Sequence, residues 1–214
     1  LSVDGTKMLV GEIYNIVLGI NPTLIAAALL IARVWDAITD PIVGVLSDNT
    51  RSRFGRRKPY IVAGSILSAL FFPLLWLVQP GWGPGHTVGY LILTLVLFYT
   101  ATTLFAIPYQ AVSMEATPNY AERTRLYAWW MVILAPGTLL IHWSFRLAQS
   151  DRFGDALTGM RYVSLLYSAI FLIFGIIPCF FIRERFLDRV ALQPKAKILP
   201  SLKVCLCLLY TSPS

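Results

Sequence analysis

Arg33, Asp36 and Asp40 sit inside an otherwise largely apolar run from Thr23 to Ser47. They stand at i, i+3 and i+7, which at 3.6 residues per turn places them on one face of a helix. Asp36 is far enough from Thr23 to lie about 20 Å along that helix. A charge at such depth in hydrocarbon is costly unless it meets a partner or a polar cavity. Two carboxylates one turn apart also repel, so one takes up a proton unless a cation holds both. Na⁺ bridging Asp36 and Asp40 gives a hard oxygen site; a shared proton gives H⁺ coupling. Pro41 has no N–H, so the Ala37 carbonyl between the two acids loses its helical partner. Thr39 adds a hydroxyl. Read as packing glue, Arg33 would neutralise one acid and leave the second unexplained. The pattern predicts a site for a monovalent cation.

The chain around this triplet must then be membrane-embedded. Of its 214 residues 57% are hydrophobic and 14% charged, with mean hydropathy +0.66. A soluble domain carries about 45–50% apolar and about 25% charged residues. One core of this size cannot hide the excess. The same numbers exclude a disordered, collagenous or disulfide-stapled chain. Cys179, Cys205 and Cys207 form no disulfide framework and share no metal spacing with His86 or His142. No phosphate loop or nucleophile–base pairing occurs, so the chain is not expected to be an enzyme. The net charge of +7 does not indicate nucleic acid, because the cations cluster in short loops between apolar runs.

A helix needs about 20 mostly apolar residues to cross a bilayer. Five runs qualify: Thr23–Ser47, Pro59–Gln79, Thr87–Val112, Leu126–Ala148 and Tyr162–Ile182. Met8–Ile20 is shorter and reads as the outer part of a first helix whose beginning is missing. The expected fold is an all-α bundle of about six helices over residues 1–183, followed by a linker over 184–203. Loop 48–58 holds five Lys and Arg residues, loop 113–125 holds Arg123 and Arg125, and the stretch from Arg183 holds six more. The opposite loops hold Arg146, Arg152 and Arg161. Positive loops stay inside, so 48–58 is expected to be cytoplasmic in a plasma (inner) membrane protein. Residues 204–214 end in a string resembling translated adapter sequence and are expected to be a non-native tail.

Arg33-Val-Trp-Asp-Ala-Ile-Thr-Asp-Pro41, followed by Gly44-Val-Leu-Ser-Asp48-Asn-Thr-Arg-Ser-Arg-Phe-Gly-Arg-Arg-Lys58, resembles the glycoside–pentoside–hexuronide:cation symporters. This is the melibiose permease-like family of the major facilitator superfamily. The resemblance covers residues 12 to 203, the N-terminal six of twelve helices. It implies that Asp36, Asp40, Thr39 and Thr103 are the cation-site residues, with Arg33 as charge partner. Thr103 is placed by the alignment of Ile107-Pro108 with the family's Ile-Pro. The substrate half of the pattern departs. Ala106 stands where a sugar-binding acid precedes Ile-Pro, and Gln110 where an aromatic platform is found. Met131 lies near the position of an expected arginine.

Other residues carry weaker signals. Glu12, with Asp4 and Lys7, could line a cavity from the first helix, as could Thr102, Ala106 and Gln110. Loop 48–58 resembles the superfamily's gating loop, with Gly44 permitting close helix approach, Gly55 a tight turn, Asp48 pairing with Arg51 or capping the next helix, and the basic run, Arg56 and Arg57 included, clasping acidic groups on the other half. Glu115, Glu122, Arg123 and Arg125 suggest a second charged cluster. Tyr127, Trp129 and Trp130 read as an interfacial aromatic belt, as do the two histidines by position.

These readings converge on a Na⁺- or H⁺-coupled symporter of a small solute, with a sugar or glycoside first. A lipid-like cargo, or a non-transporting membrane scaffold, are the alternatives. No prosthetic group or nucleic acid is expected; the implied partners are the solute, the bilayer and a C-terminal half of the same chain.

Overall fold

The computed structural model describes residues 3–52, 55–115, 119–150 and 154–181. The linker and tail read from the sequence lie outside these residues. Among the described residues all regular structure is helical. Helix α1 (Val3–Gly11) runs into a π-helical stretch (Glu12–Val17), followed by α2 (Pro22–Asn49), α3 (Lys58–Leu74), α4 (Pro84–Glu115), α5 (Tyr120–Ala148) and α6 (Ala156–Phe181). The main packing is α3 on α4, α2 on α4, α3 on α6 and α5 on α6.

Local chemistry sets the helix starts. Asn21 accepts from the Thr23 N–H at 2.9 Å, and Pro22 opens α2 with its φ already helical. Gly19 turns the chain ahead of it at φ 66°. Asn119 accepts from the Ala121 N–H at 3.1 Å and starts α5 at Tyr120, one and a half turns before the apolar run begins. Arg123 and Arg125 therefore belong to the first turns of α5 and not to a loop. Helix α4 likewise extends past both expected ends, and α2 passes through Pro41 to Asn49 without stopping.

Four helices, α2, α4, α5 and α6, are long and apolar enough to cross a membrane. Helix α3, expected to span Pro59–Gln79, stops at Leu74 after 17 residues. Pro73 withholds an N–H from the ladder, and the chain tightens, with Trp76 N–H on the Pro73 carbonyl at 3.0 Å and Leu77 N–H on Leu74 at 3.2 Å. Non-helical backbone at membrane depth survives only where protein covers it and supplies its hydrogen bonds. Both conditions are met. Leu75, Trp76 and Val78 are completely buried. Tyr90 donates to the Leu74 carbonyl at 2.6 Å and Tyr14 to the Leu75 carbonyl at 2.6 Å. Arg161 donates to the carbonyls of Trp76 and Val78, both at 2.9 Å. Donors from three other elements thus close the end of α3. Arg161, counted above among loop cations, is a side chain of α6 committed to this cap.

The core lies just beneath. Trp76 meets Tyr14 at 6.4 Å and Phe72 edge-on at 6.1 Å between centroids, and Phe72 meets Phe98 at 5.5 Å. At the other end α3 crosses α4 so closely that a Cβ on Gly64 would collide with the backbone of Leu104 and Phe105. At Gly44 a Cβ would meet only Ile107 Cγ2, at an ordinary 3.7 Å. On α4, close approach therefore demands glycine at Gly64 and not at the expected Gly44. Exposed Leu, Ile and Trp side chains run along α2, α5 and α6, a surface suited to hydrocarbon and not to water.

Arg161→Gln should lower thermal stability in detergent by about 2–4 kcal/mol, because it strips charged donors from buried carbonyls. The exposed Arg146→Gln should change it by less than about 0.5 kcal/mol. Equal melting temperatures for parent and Arg161→Gln would show that the cap is dispensable.

Candidate functional site

Asp36 lies at the crossing of α2 and α4 and is 8% exposed. Its Oδ1 accepts from Thr103 Oγ1 of α4 at 2.8 Å, and its Oδ2 accepts from Arg33 Nη1 at 3.1 Å. Both oxygens of a buried carboxylate are thereby met by donors, as burial at this depth demands. Asp40 is one turn further along α2 and half-buried. It stands within electrostatic reach of Asp36 and Arg33 and beside the Thr103 hydroxyl. Thr39, also buried, donates to the Asp36 carbonyl at 3.1 Å. The structure thus brings Arg33, Asp36, Asp40 and Thr103 together, with Thr39 held against its own helix.

Thr102 and Thr103 have different tasks. Thr102 is buried and donates to the Tyr99 carbonyl at 2.9 Å, the local back-bonding common to helical threonines. Only Thr103 reaches across to α2. Of the other candidate cavity residues, Glu12 is half-buried at the start of the π-helical stretch, Ala106 is half-buried, and Gln110 is exposed.

The arrangement offers anionic and hydroxyl oxygen within one helical turn. Among the described residues no three His, Cys, Asp or Glu gather where they could hold a metal. Two carboxylates and a hydroxyl suit a small hard monovalent cation or a proton, and not a transition metal. A cation reaching Asp36 would compete with the Arg33 guanidinium for Oδ2. Arg33 is free to yield, since its side chain is 58% exposed against 12% for that of Asp36.

At the end of the bundle formed by residues 48–58, Asp48 accepts from Arg57 Nη2 at 2.6 Å and Nε at 2.9 Å. Glu115, at the end of α4, accepts from Arg56 Nη2 at 2.8 Å and pairs with Arg57 Nη1 at 2.9 Å. Glu115 is thereby tied to the 48–58 loop. The two guanidinium side chains are only 11% and 6% exposed, while the Asp48 and Glu115 side chains are 45% and 38% exposed, so the acids hold the buried arginines from the water side. Gly55, at φ 106°, turns the loop that presents them. Arg51 is exposed. Tyr127 and Trp130 are in ring contact at 5.7 Å at the start of α5, with Trp129 outward and 64% exposed.

Sequence reasoning missed two arrangements. The Glu115 link joins residues 59 positions apart, and charge alone gave no partner. Trp35 Nε1 donates to Thr100 Oγ1 at 2.8 Å beside the acid site; the only signal was a tryptophan at mid-span depth.

Residues 12–205 match the family model described as MFS/sugar transport protein. A symporter of Synechocystis is 38% identical over 130 residues, which are 58% of this chain and 24% of that protein. The sodium-dependent lysophosphatidylcholine symporter 1-B of Danio rerio is 37% identical over 122 residues, 56% of this chain and 23% of its own. A protein of Escherichia coli named as a glycoside/cation symporter, YagG, is 30% identical over 138 residues, 64% of this chain and 30% of its own. The match spans about a quarter of the length of these curated relatives. Taken with the all-helical bundle and its spanning helices, the family match over most of its length shows that the chain is a multi-pass membrane protein belonging to the MFS/sugar transport protein family.

Proposed function

We propose that the chain is the N-terminal half of a cation-coupled symporter, and that Asp36 and Asp40 bind the coupling ion, Na⁺ or H⁺. The observation that carries this reading is the Asp36 carboxylate, held between Arg33 and Thr103 with Asp40 one turn away. Two acids against one guanidinium leave a negative charge that one cation cancels. Cancelling it lowers the cost of moving the site through apolar surroundings, so the loaded carrier changes its facing more readily than the empty one. Cation and solute then raise each other's affinity by the same factor.

The cargo is a sugar or glycoside on the family description and on the similarity to YagG. A second reading, a lysophospholipid-like cargo, is favoured by the similarity to the Danio rerio symporter and by the apolar Ala106. Glu12, Thr102, Ala106 and Gln110 are the substrate-side residues in either case. The Asp48–Arg57–Glu115 cluster, with Arg56, ties the α2–α3 loop to the end of α4. In this reading it braces a cytoplasmic gate that includes Gly44, Arg51 and Gly55. A C-terminal half of the same protein completes the solute path.

Two experiments bear on this. Cysteines placed at Trp82 and at Arg51 in intact cells should differ, position 82 reacting with an impermeant maleimide and position 51 remaining silent; the reverse pattern would invert the orientation. In the full-length protein, Asp36→Asn and Asp40→Asn should each abolish uphill accumulation while downhill exchange survives. Radiolabelled methyl-β-glucoside and lysophosphatidylcholine serve as separate probes, with surface expression recorded. Parent-like accumulation by both variants would place coupling elsewhere.

A further inference from the structure

Trp35 is twelve residues beyond Thr23 on α2, about 18 Å along the axis. Tryptophans of membrane helices gather at the headgroup level, where the ring is buried and the N–H stays wet. Trp35 is too deep for that. At this depth its N–H must find a partner within the protein, and it finds Thr100 Oγ1 on α4 at 2.8 Å. The bond can run in only one direction. An indole is a donor only. The Thr100 proton is already committed to the Val96 carbonyl at 2.7 Å, which leaves the hydroxyl oxygen to accept.

The neighbouring residue on each side makes the functional contact. Asp36 follows Trp35 on α2, and Thr103 lies three residues after Thr100 on α4, with 2.8 Å between Thr103 Oγ1 and Asp36 Oδ1. One hydrogen bond between two helices constrains a distance. Two bonds, from residues about 100° apart around α2 to residues about 4.5 Å apart along α4, also constrain rotation and translation. Asp40, one turn on, also stands beside the Thr103 hydroxyl; an apolar α2–α4 contact such as Gly44 on Ile107 adds no direction of its own.

We propose that Trp35 and Thr100 are a positioning pair for the cation site: their hydrogen bond sets the register of α2 on α4 that delivers the Thr103 hydroxyl to Asp36. The pair touches neither cation nor solute. The inference rests on the reading of Asp36 as a cation ligand.

The test uses the purified full-length protein and thermal stabilisation by Na⁺ at constant ionic strength against choline, or by pH in choline, whichever shifts the parent. Thr100→Val keeps the shape and removes the acceptor. It should move the half-saturating cation concentration up about three- to tenfold, the range expected of one interhelical hydrogen bond in a membrane. Without added cation its melting temperature should fall only modestly, by the cost of one interhelical hydrogen bond. Trp35→Phe should do the same, and the double variant should be no worse than either single one. Thr100→Ser, which keeps the hydroxyl, should restore the midpoint to within about twofold. A parent-like midpoint in Thr100→Val, or no rescue by Ser, would overturn the positioning role. Asp36→Asn is the separate control. If it abolishes cation stabilisation while Thr100→Val leaves the midpoint untouched, only the positioning inference falls. If Asp36→Asn responds to cation as the parent does, the cation-site reading falls and the inference with it.

Discussion

Hydrocarbon offers no hydrogen bonds, so open backbone carbonyls and charged groups in this bundle have to be met from within the chain. That constraint decides where the irregular parts of the structure can be. Helix α3 stops short of a full span because Tyr14, Tyr90 and Arg161 converge on the carbonyls that its end leaves open. The same constraint decides where charge can stand. Asp36 sits deep in α2 only because Thr103 and Arg33 each occupy one of its oxygens. A solvent as permissive as water would allow either site to be loose; a bilayer does not.

The α2–α4 seam and the α3–α4 crossing differ in kind. At Gly64 the backbones nearly touch, and the contact is rigid because no side chain intervenes. Along α2–α4 polar contacts are carried by side chains, at Trp35–Thr100, Asp36–Thr103 and Asp40–Thr103. At the 48–58 end of the bundle, Arg56 and Arg57 bind acids from both α2 and α4. The two helices that form the acid site are thus also tied to each other beyond it.

Much of this was legible in the residues. The acids at Asp36 and Asp40 stand out because charge is rare in an apolar run, and their spacing puts them on one face without any structure. The helix count follows from hydropathy. Helix ends do not, because polar first turns such as Tyr120–Arg125 look like loop until Asn119 is recognised as a cap. Arg161 looked like a loop cation for the same reason, since a charge census cannot tell an arginine facing solvent from one buried against carbonyls. Thr103 is singled out only through the family's Ile-Pro; that it, and not Thr102, crosses to α2 is a matter of helix rotation. The Trp35–Thr100 and Glu115–Arg57 pairings depend on tertiary register, which no local pattern encodes.

The central claim is that the coupling cation binds at the Asp36 carboxylate. Infrared difference spectra of the reconstituted full-length protein, recorded with and without Na⁺ and across pH, read carboxylate groups directly. The account predicts a cation-induced change in the carboxylate stretching bands that is lost in Asp36→Asn and altered in Thr103→Val, while Glu115→Gln leaves it in place. A carboxylate signal that persists unchanged in Asp36→Asn would contradict it.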